Sequence, residues 1–294
     1  MKNSNNEIEL GSKYVSIGDA RLFIVERGEG YPILILHGGP GMDHHMFGDY
    51  LDPLTDKYRL IFVDQRSQGR SDMTPEDTWT LKQMAQDLFS LAKAMNLQNY
   101  AILGHSFGAL VALQNAVDFP DQKVQTIISS GFPSSKFLEN VDYNLQIFEP
   151  KELKEKIITS WEREKIAETE EEVLSLLKDQ MPFHFADPLT HLMEEYWERT
   201  SSAIFSPKVL RHFAQEEYGG IEVQDRLKFV SFPMLVIAGR YDRVCSVKAA
   251  EAITNGVKNA ELIIFENSGH MTFVEENEKY ISVVRDFLDR NIDL

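Results

Sequence analysis

A serine flanked by glycines, Gly104-His105-Ser106-Phe107-Gly108, stands between a short apolar run at residues 100–103 and a helical stretch at 109–117. A nucleophile on so tight a strand-to-helix turn takes a strained backbone conformation. Glycines two before and two after it let neighbouring segments come close. The hydroxyl then projects at the C-terminal edge of a sheet, with a helix N-terminus beneath it. An ordinary glycine-rich turn could share the five-residue pattern, so the case rests on the flanking elements and on the partners that follow.

Asp242 follows the run 234–238 within Gly239-Arg240-Tyr241-Asp242, and His270 follows the run 261–265 within Asn267-Ser268-Gly269-His270. Side chains at the C-terminal ends of strands converge in an open parallel sheet. His270 as base would take the proton from Ser106 and return it to the leaving group. Asp242 would fix the imidazole tautomer and stabilise the imidazolium. Taken singly, Asp242 reads equally well as a helix cap and His270 as a turn residue. Their placement after two successive late strands favours the catalytic reading.

A third pattern, His37-Gly38-Gly39-Pro40-Gly41, directly follows the run 32–36. Acyl transfer needs donors aimed at the developing oxyanion. The backbone N–H of Phe107 supplies one, and that of Gly39 is the choice for the other. As a phosphate cradle the loop fails, because it lacks the lysine and the glycine spacing. A triad supplies both nucleophile and base, so the expected chemistry needs no metal or organic cofactor.

These residues need a sheet to bring them together. Short runs rich in Ile, Val and Leu occur at 21–26, 32–36, 59–63, 100–103, 124–129, 234–238 and 261–265. Such runs read as strands buried on both faces. A first, antiparallel strand is expected at 14–17. Residues 80–95 repeat apolar side chains at helical spacing, and 109–117 and 280–289 are further helices. The alternation predicts an α/β fold, a mostly parallel eight-stranded sheet with helices on both faces. It breaks at 132–224, where helices are expected at 151–159, 170–181, 189–200 and 207–216. That stretch is read as a helical cap inserted between strands 6 and 7. The core domain is then 1–131 with 225–294.

The bulk composition narrows the partners. The chain has 294 residues and a formal net charge of −16, with 43% hydrophobic residues. So acidic a chain repels nucleic acid and anionic membrane surfaces, and no basic stripe opposes the charge. No run approaches the length of a membrane span. The single cysteine, Cys245, cannot form an intramolecular disulfide. The polar Met1–Glu7 has no apolar signal segment. These features read as a soluble cytoplasmic chain, although a mature secreted form would look the same.

His37–Gly41, Asp64-Gln65-Arg66-Ser67-Gln68-Gly69-Arg70-Ser71-Asp72, Gly104–Gly108, Gly239–Asp242 and Gly269-His270 together resemble the proline iminopeptidase family of α/β-hydrolases. The match runs over nearly the whole chain outside the cap. The resemblance implies the α/β-hydrolase fold, Ser106, Asp242 and His270 as triad, Gly39 with Phe107 as oxyanion hole, and release of N-terminal residues, often proline, from short peptides. Two departures stand out. Members often carry Gly-Gly-Ser-Trp-Gly at the nucleophile, and some place a glutamate after the triad aspartate to hold the substrate's amino group. Here that position is Arg243. The cap offers Glu216, Glu217 and Glu222 instead; solvated glutamates on the cap surface are the commoner reading of such residues, and Glu217, with Glu216 beside it, is the choice if one of them meets an ammonium group.

Other residues read more plainly. Asp64, Arg66 and Arg70 are expected to hold the loop beside the oxyanion hole. His44 and His45 are expected at the surface. His184, His191 and Asp187 lack a recognised zinc spacing. Aromatic cap residues such as Phe183, Tyr196 and Tyr218 are expected in the cap core, some of them roofing the pocket. Cys245 reads as packing. The leading expectation is an aminopeptidase acting on a small-molecule or short-peptide substrate. A carboxylesterase or lactonase keeps the same machinery, and a non-catalytic receptor keeps the pocket. Dehalogenases and epoxide hydrolases place an aspartate where Ser106 stands.

Overall fold

A computed structural model describes residues 10–292 of the chain, so the polar segment Met1–Glu7 lies outside the described residues. Eight strands form one sheet: β1 (Ser12–Ser16), β2 (Arg21–Arg27), β3 (Tyr31–Leu36), β4 (Tyr58–Val63), β5 (Tyr100–His105), β6 (Val124–Ser129), β7 (Met234–Gly239) and β8 (Ala260–Phe265). Their order across the sheet is β1-β2-β4-β3-β5-β6-β7-β8. β1 and β2 run antiparallel at one edge, and all pairs from β4 to β8 are parallel.

The sequence explains this through alternation within each run. Leu34 and Leu36 of β3 enter one apolar cluster while Ile33 and Ile35 enter another. Met234, Val236 and Ala238 of β7 are divided from Leu235 and Ile237 in the same way. Successive side chains of a strand point to opposite faces, so an unbroken apolar run is what a sheet covered on both sides requires. On one face lie α1 (Leu81–Ala94) and α2 (Phe107–Asp118), which pack on each other. The Thr80 hydroxyl caps α1 by accepting from the Gln83 N–H, satisfying one of the free donors of its first turn.

Between β6 and β7 come five helices: α3 (Glu139–Gln146), α4 (Lys151–Glu164), α5 (Glu170–His184), α6 (Leu192–Arg199) and α7 (Pro207–Gln215). α5 opens with a capping box of Thr169 and Glu172. α4 packs on α5, and Phe148, Ile157 and Phe183 make a small apolar cluster of their own. After β7 come α8 (Val247–Gly256), α9 (Thr272–Glu275) and α10 (Asn277–Asn291). α8 joins the cluster of α1 and α2, and α10 covers the opposite face with Tyr280, Val284 and Phe287. Sequence patterning did not mark α3 or α8, and α4 runs on past residue 159 to Glu164. No helix among the described residues is long and apolar enough to cross a membrane.

Candidate active site

β5 ends at His105 and α2 begins at Phe107, which leaves Ser106 alone in the turn with φ 53° and ψ −117°. A positive φ is rare for a residue with a side chain. Ser106 is held in it by its own N–H, which donates to the Ser129 carbonyl on β6 at 2.9 Å. The two glycines have steric reasons. A Cβ on Gly104 would stand 2.3 Å from the Gly108 carbonyl oxygen, and one on Gly108 would stand 2.3 Å from that of Leu36. Gly108→Ala is therefore expected to push α2 off β3 and lower stability by about 3 kcal/mol or more. Urea unfolding checks this, and a change below about 1 kcal/mol would contradict the packing argument.

Asp242 and His270 meet across the ends of β7 and β8. The His270 Nδ1 lies 2.9 Å from Asp242 Oδ2, and both side chains are buried. Asp242 Oδ1 also accepts the N–H groups of Val244 and Cys245, each at 2.8 Å. Its carboxylate is thus fixed by the backbone on one oxygen and by the imidazole on the other. Ser106 and His270 face one cavity of about 700 Å³, with Gly39 and Phe107 also in its wall. The first N–H groups of a helix have no acceptor within it, and Phe107 opens α2.

The Gly39 loop is braced from below. Buried His37 donates from Nδ1 to the Gly38 carbonyl at 3.0 Å, and its Nε2 receives the Gln65 N–H at 3.3 Å. Burial pulls its pKa down, which keeps the ring neutral. The Gln68 side chain accepts from the Gly41 N–H at 2.6 Å. Asp64 is fully buried and accepts from the His44 N–H, the His44 ring and the Arg70 N–H. The His44 contact is the main pull lowering its pKa against burial. Arg66 is buried between Asp87 and Asp19. The expectation of a loop-holding network describes Asp64, whereas Arg66 instead joins Asp19 before β2 to Asp87 of α1. The expected surface placement of His44 does not hold: His44 is only 2% exposed, because its ring is the partner that the buried Asp64 requires.

The helices between β6 and β7, hereafter the cap, bring one buried carboxylate to the cavity wall. Glu164, the last residue of α4, is 3% exposed and lines the cavity. It accepts from the Tyr218 hydroxyl and from Gln180 Nε2, each at 2.7 Å. Burial pushes its pKa up, and those two hydrogen bonds pull it back in part. Tyr218 reaches Glu164 from a short turn in which Glu217 and Tyr218 both have positive φ, 48° and 55°. Two bulky residues in succession in that region cost about 1–2 kcal/mol each, a strain that accompanies the aiming of the hydroxyl.

Glu217 itself is exposed at the rim of the cavity, and Glu216 is exposed and outside its wall. Neither glutamate is buried there, and it is Tyr218 that reaches the buried carboxylate. Arg243 is not in the cavity wall, and its guanidinium donates to the carbonyls of Phe183, Phe185 and Ala186. His184 is in the cavity wall and His191 is largely exposed. Cys245 is buried in the wall, and burial raises its pKa well above the usual thiol range. Sequence reasoning missed Glu164. The signal available was its place on the α4 face carrying Ile157 and Ser160, both buried.

Comparison with known proteins agrees with this architecture. The sequence profile of the alpha/beta hydrolase fold matches residues 31–277. A proline iminopeptidase of Clostridium botulinum (strain Hall) is 29% identical over 279 residues, covering 90% of this chain and 92% of that one. Among solved structures, an alpha/beta fold family hydrolase from Bacillus anthracis str. Sterne superposes with a TM-score of 0.78 at 24% identity, over 94% of this chain and 99% of that chain. An esterase from Exiguobacterium antarcticum superposes at 0.74 with 23% identity, over 94% and 99%. The chain belongs to the α/β-hydrolase fold family, among its proline iminopeptidase-like members.

Proposed function

We propose that this chain is a serine aminopeptidase that releases N-terminal residues, proline among them, from short peptides. Ser106 is the nucleophile, His270 the base and Asp242 the acid. His270 takes the Ser106 proton as the oxygen attacks the scissile carbonyl, and then delivers it to the departing amine. Water, deprotonated by His270, releases the acyl group and restores Ser106. The N–H groups of Gly39 and Phe107 hold the oxyanion. The observation that carries the peptidase reading is Glu164: a carboxylate buried in the wall of the cavity that also holds Ser106 and His270. An ammonium group that loses its water on entering needs such a partner. Glu217, exposed at the rim, adds a weaker, solvent-screened attraction.

A second reading, ester or lactone hydrolysis by the same triad, is favoured by one observation. Burial pushes the Glu164 carboxyl toward its neutral form, and a neutral carboxyl offers an ammonium no charge. Proline and alanine nitroanilides, their N-acetyl counterparts and nitrophenyl esters separate the two. The free-amino anilides are expected to exceed the N-acetyl ones by about 100-fold or more in kcat/KM. Brisk ester cleavage with no turnover of any free-amino anilide would transfer the assignment to the esterase reading.

A further inference from the structure

One place where the cap meets the core is residues 183–186, where α5 ends, and all four carbonyls of that stretch accept from the two loops carrying Asp242 and His270. Arg243 donates to Phe183, Phe185 and Ala186, and the His270 N–H donates to His184 at 2.7 Å. The one N–H in the set, that of Ala186, donates to Glu275 Oε1 at 2.7 Å. The other oxygen of Glu275 accepts the Gly269 N–H at 2.8 Å, one residue before His270. The cap backbone lies so close that a Cβ on Gly269 would stand 2.6 Å from the His184 carbonyl oxygen. On its core side, the His270 carbonyl accepts from the Ser130 hydroxyl at 3.0 Å.

We infer that Glu275 and Arg243 are positioning residues that clamp cap segment 183–186 to the loops of Asp242 and His270, so that the imidazole is set for proton transfer only while the cap is seated. The inference rests on the triad reading above. Neither residue faces the reacting atoms; both act through His270. Glu275 is the adjustable half. Burial pushes its pKa up to about 7, against the pull of its two N–H donors, with Asp242 pushing the same way and His270 opposing. The charged groups that act on it are Asp242 and Arg243 after β7 and His270 after β8, and His184 stands at the end of α5, where its carbonyl accepts the His270 N–H. Burial holds His184 down at about 4, so His184 keeps one state across the titration of Glu275. Glu276 turns away toward Ser268, Asn267 and Lys279. An ionised Glu275 accepts from both N–H groups. A protonated one loses its charge, and its hydroxyl oxygen accepts more weakly, so the hold on the two N–H groups slackens. The clamp therefore tightens as pH rises through about 7.

Glu275→Gln is a fixed analogue of the protonated carboxyl. It is expected to lower kcat about tenfold at alkaline pH while KM changes by less than about twofold, since a small displacement of a catalytic group costs rate rather than ground-state binding. The parent's kcat should show an added fall of about tenfold as pH drops through about 7, and the variant should lack it. An unchanged kcat with an unchanged limb would overturn the clamp. Should the variant fail to fold, the parent protein decides. The amide resonances of Ala186 and Gly269 should titrate together with one midpoint near 7, as the raised Glu275 requires. Separate midpoints, or none, would overturn it. The same amide titration in Ser106→Ala keeps this test apart from the triad reading, which stands or falls on turnover.

Discussion

Ser106→Ala is expected to reduce kcat by on the order of 10³-fold or more on every substrate the parent cleaves. The residual rate would come from the oxyanion donors and from binding. The fold should survive. No cap hydrogen bond to α2 runs through the Ser106 side chain, so its removal leaves no helix donor stranded, and the backbone bond from Ser106 N–H to Ser129 remains. Alanine meets the same strain at φ 53° as serine does. Steady-state rates with purified protein, alongside a circular dichroism melt, check both halves. A variant that turns over at the parent's rate would remove Ser106 from the nucleophile role.

Glu164→Gln is expected to raise KM for free-amino anilides by on the order of 100-fold, because it removes one partner of a buried charge pair. N-acetyl anilides and neutral esters should change by less than about threefold, since they bring no charge to the site. Glutamine keeps an acceptor for Tyr218, so the wall stays closed. The pH dependence has a definite sign. The pKa of Glu164 is raised by burial, so the carboxylate forms only above the ordinary glutamate range. In the parent, KM for amine substrates should fall as pH rises through that titration, and the Gln variant should lack the fall. Stability runs the opposite way. A carboxyl whose folded pKa lies above its unfolded value loses stabilisation as pH rises through the folded one. The variant's Tm should therefore decline less toward neutral pH than the parent's. Equal KM changes for charged and neutral substrates would remove Glu164 from amine recognition.

The parts of the site that the sequence made legible are those whose geometry is local. Gly104 and Gly108 announce a turn because only hydrogen fits against neighbouring backbone there, and a run such as Met234–Gly239 points to the residue just beyond it. Asp242 and His270 could be named because strand ends share an edge. Glu164 could not. It sits among exposed charged residues on α4, and only the packing of α4 on α5 and the inward turn at Tyr218 bury it. The acidic residue that looked available, Glu217, is exposed, and it is Tyr218 that reaches the buried carboxylate. Arg243 read as an obstacle to amine binding while its guanidinium is spent on cap carbonyls more than fifty residues earlier in the chain. His44 looked like a surface residue because its partner Asp64 lies twenty positions away. In each case the deciding contact is tertiary, and only for Glu164 does helical spacing, on the face of Ile157 and Ser160, carry a trace of it.

The nucleophile assignment is the claim on which the rest depends, and a fluorophosphonate probe tests it in one measurement. The intact mass of the parent protein should increase by a single phosphonyl group, with the modified peptide containing Ser106, and activity should fall in step with labelling. The result that would contradict the account is an active preparation that takes up no probe at Ser106, or one whose loss of activity follows labelling at another residue.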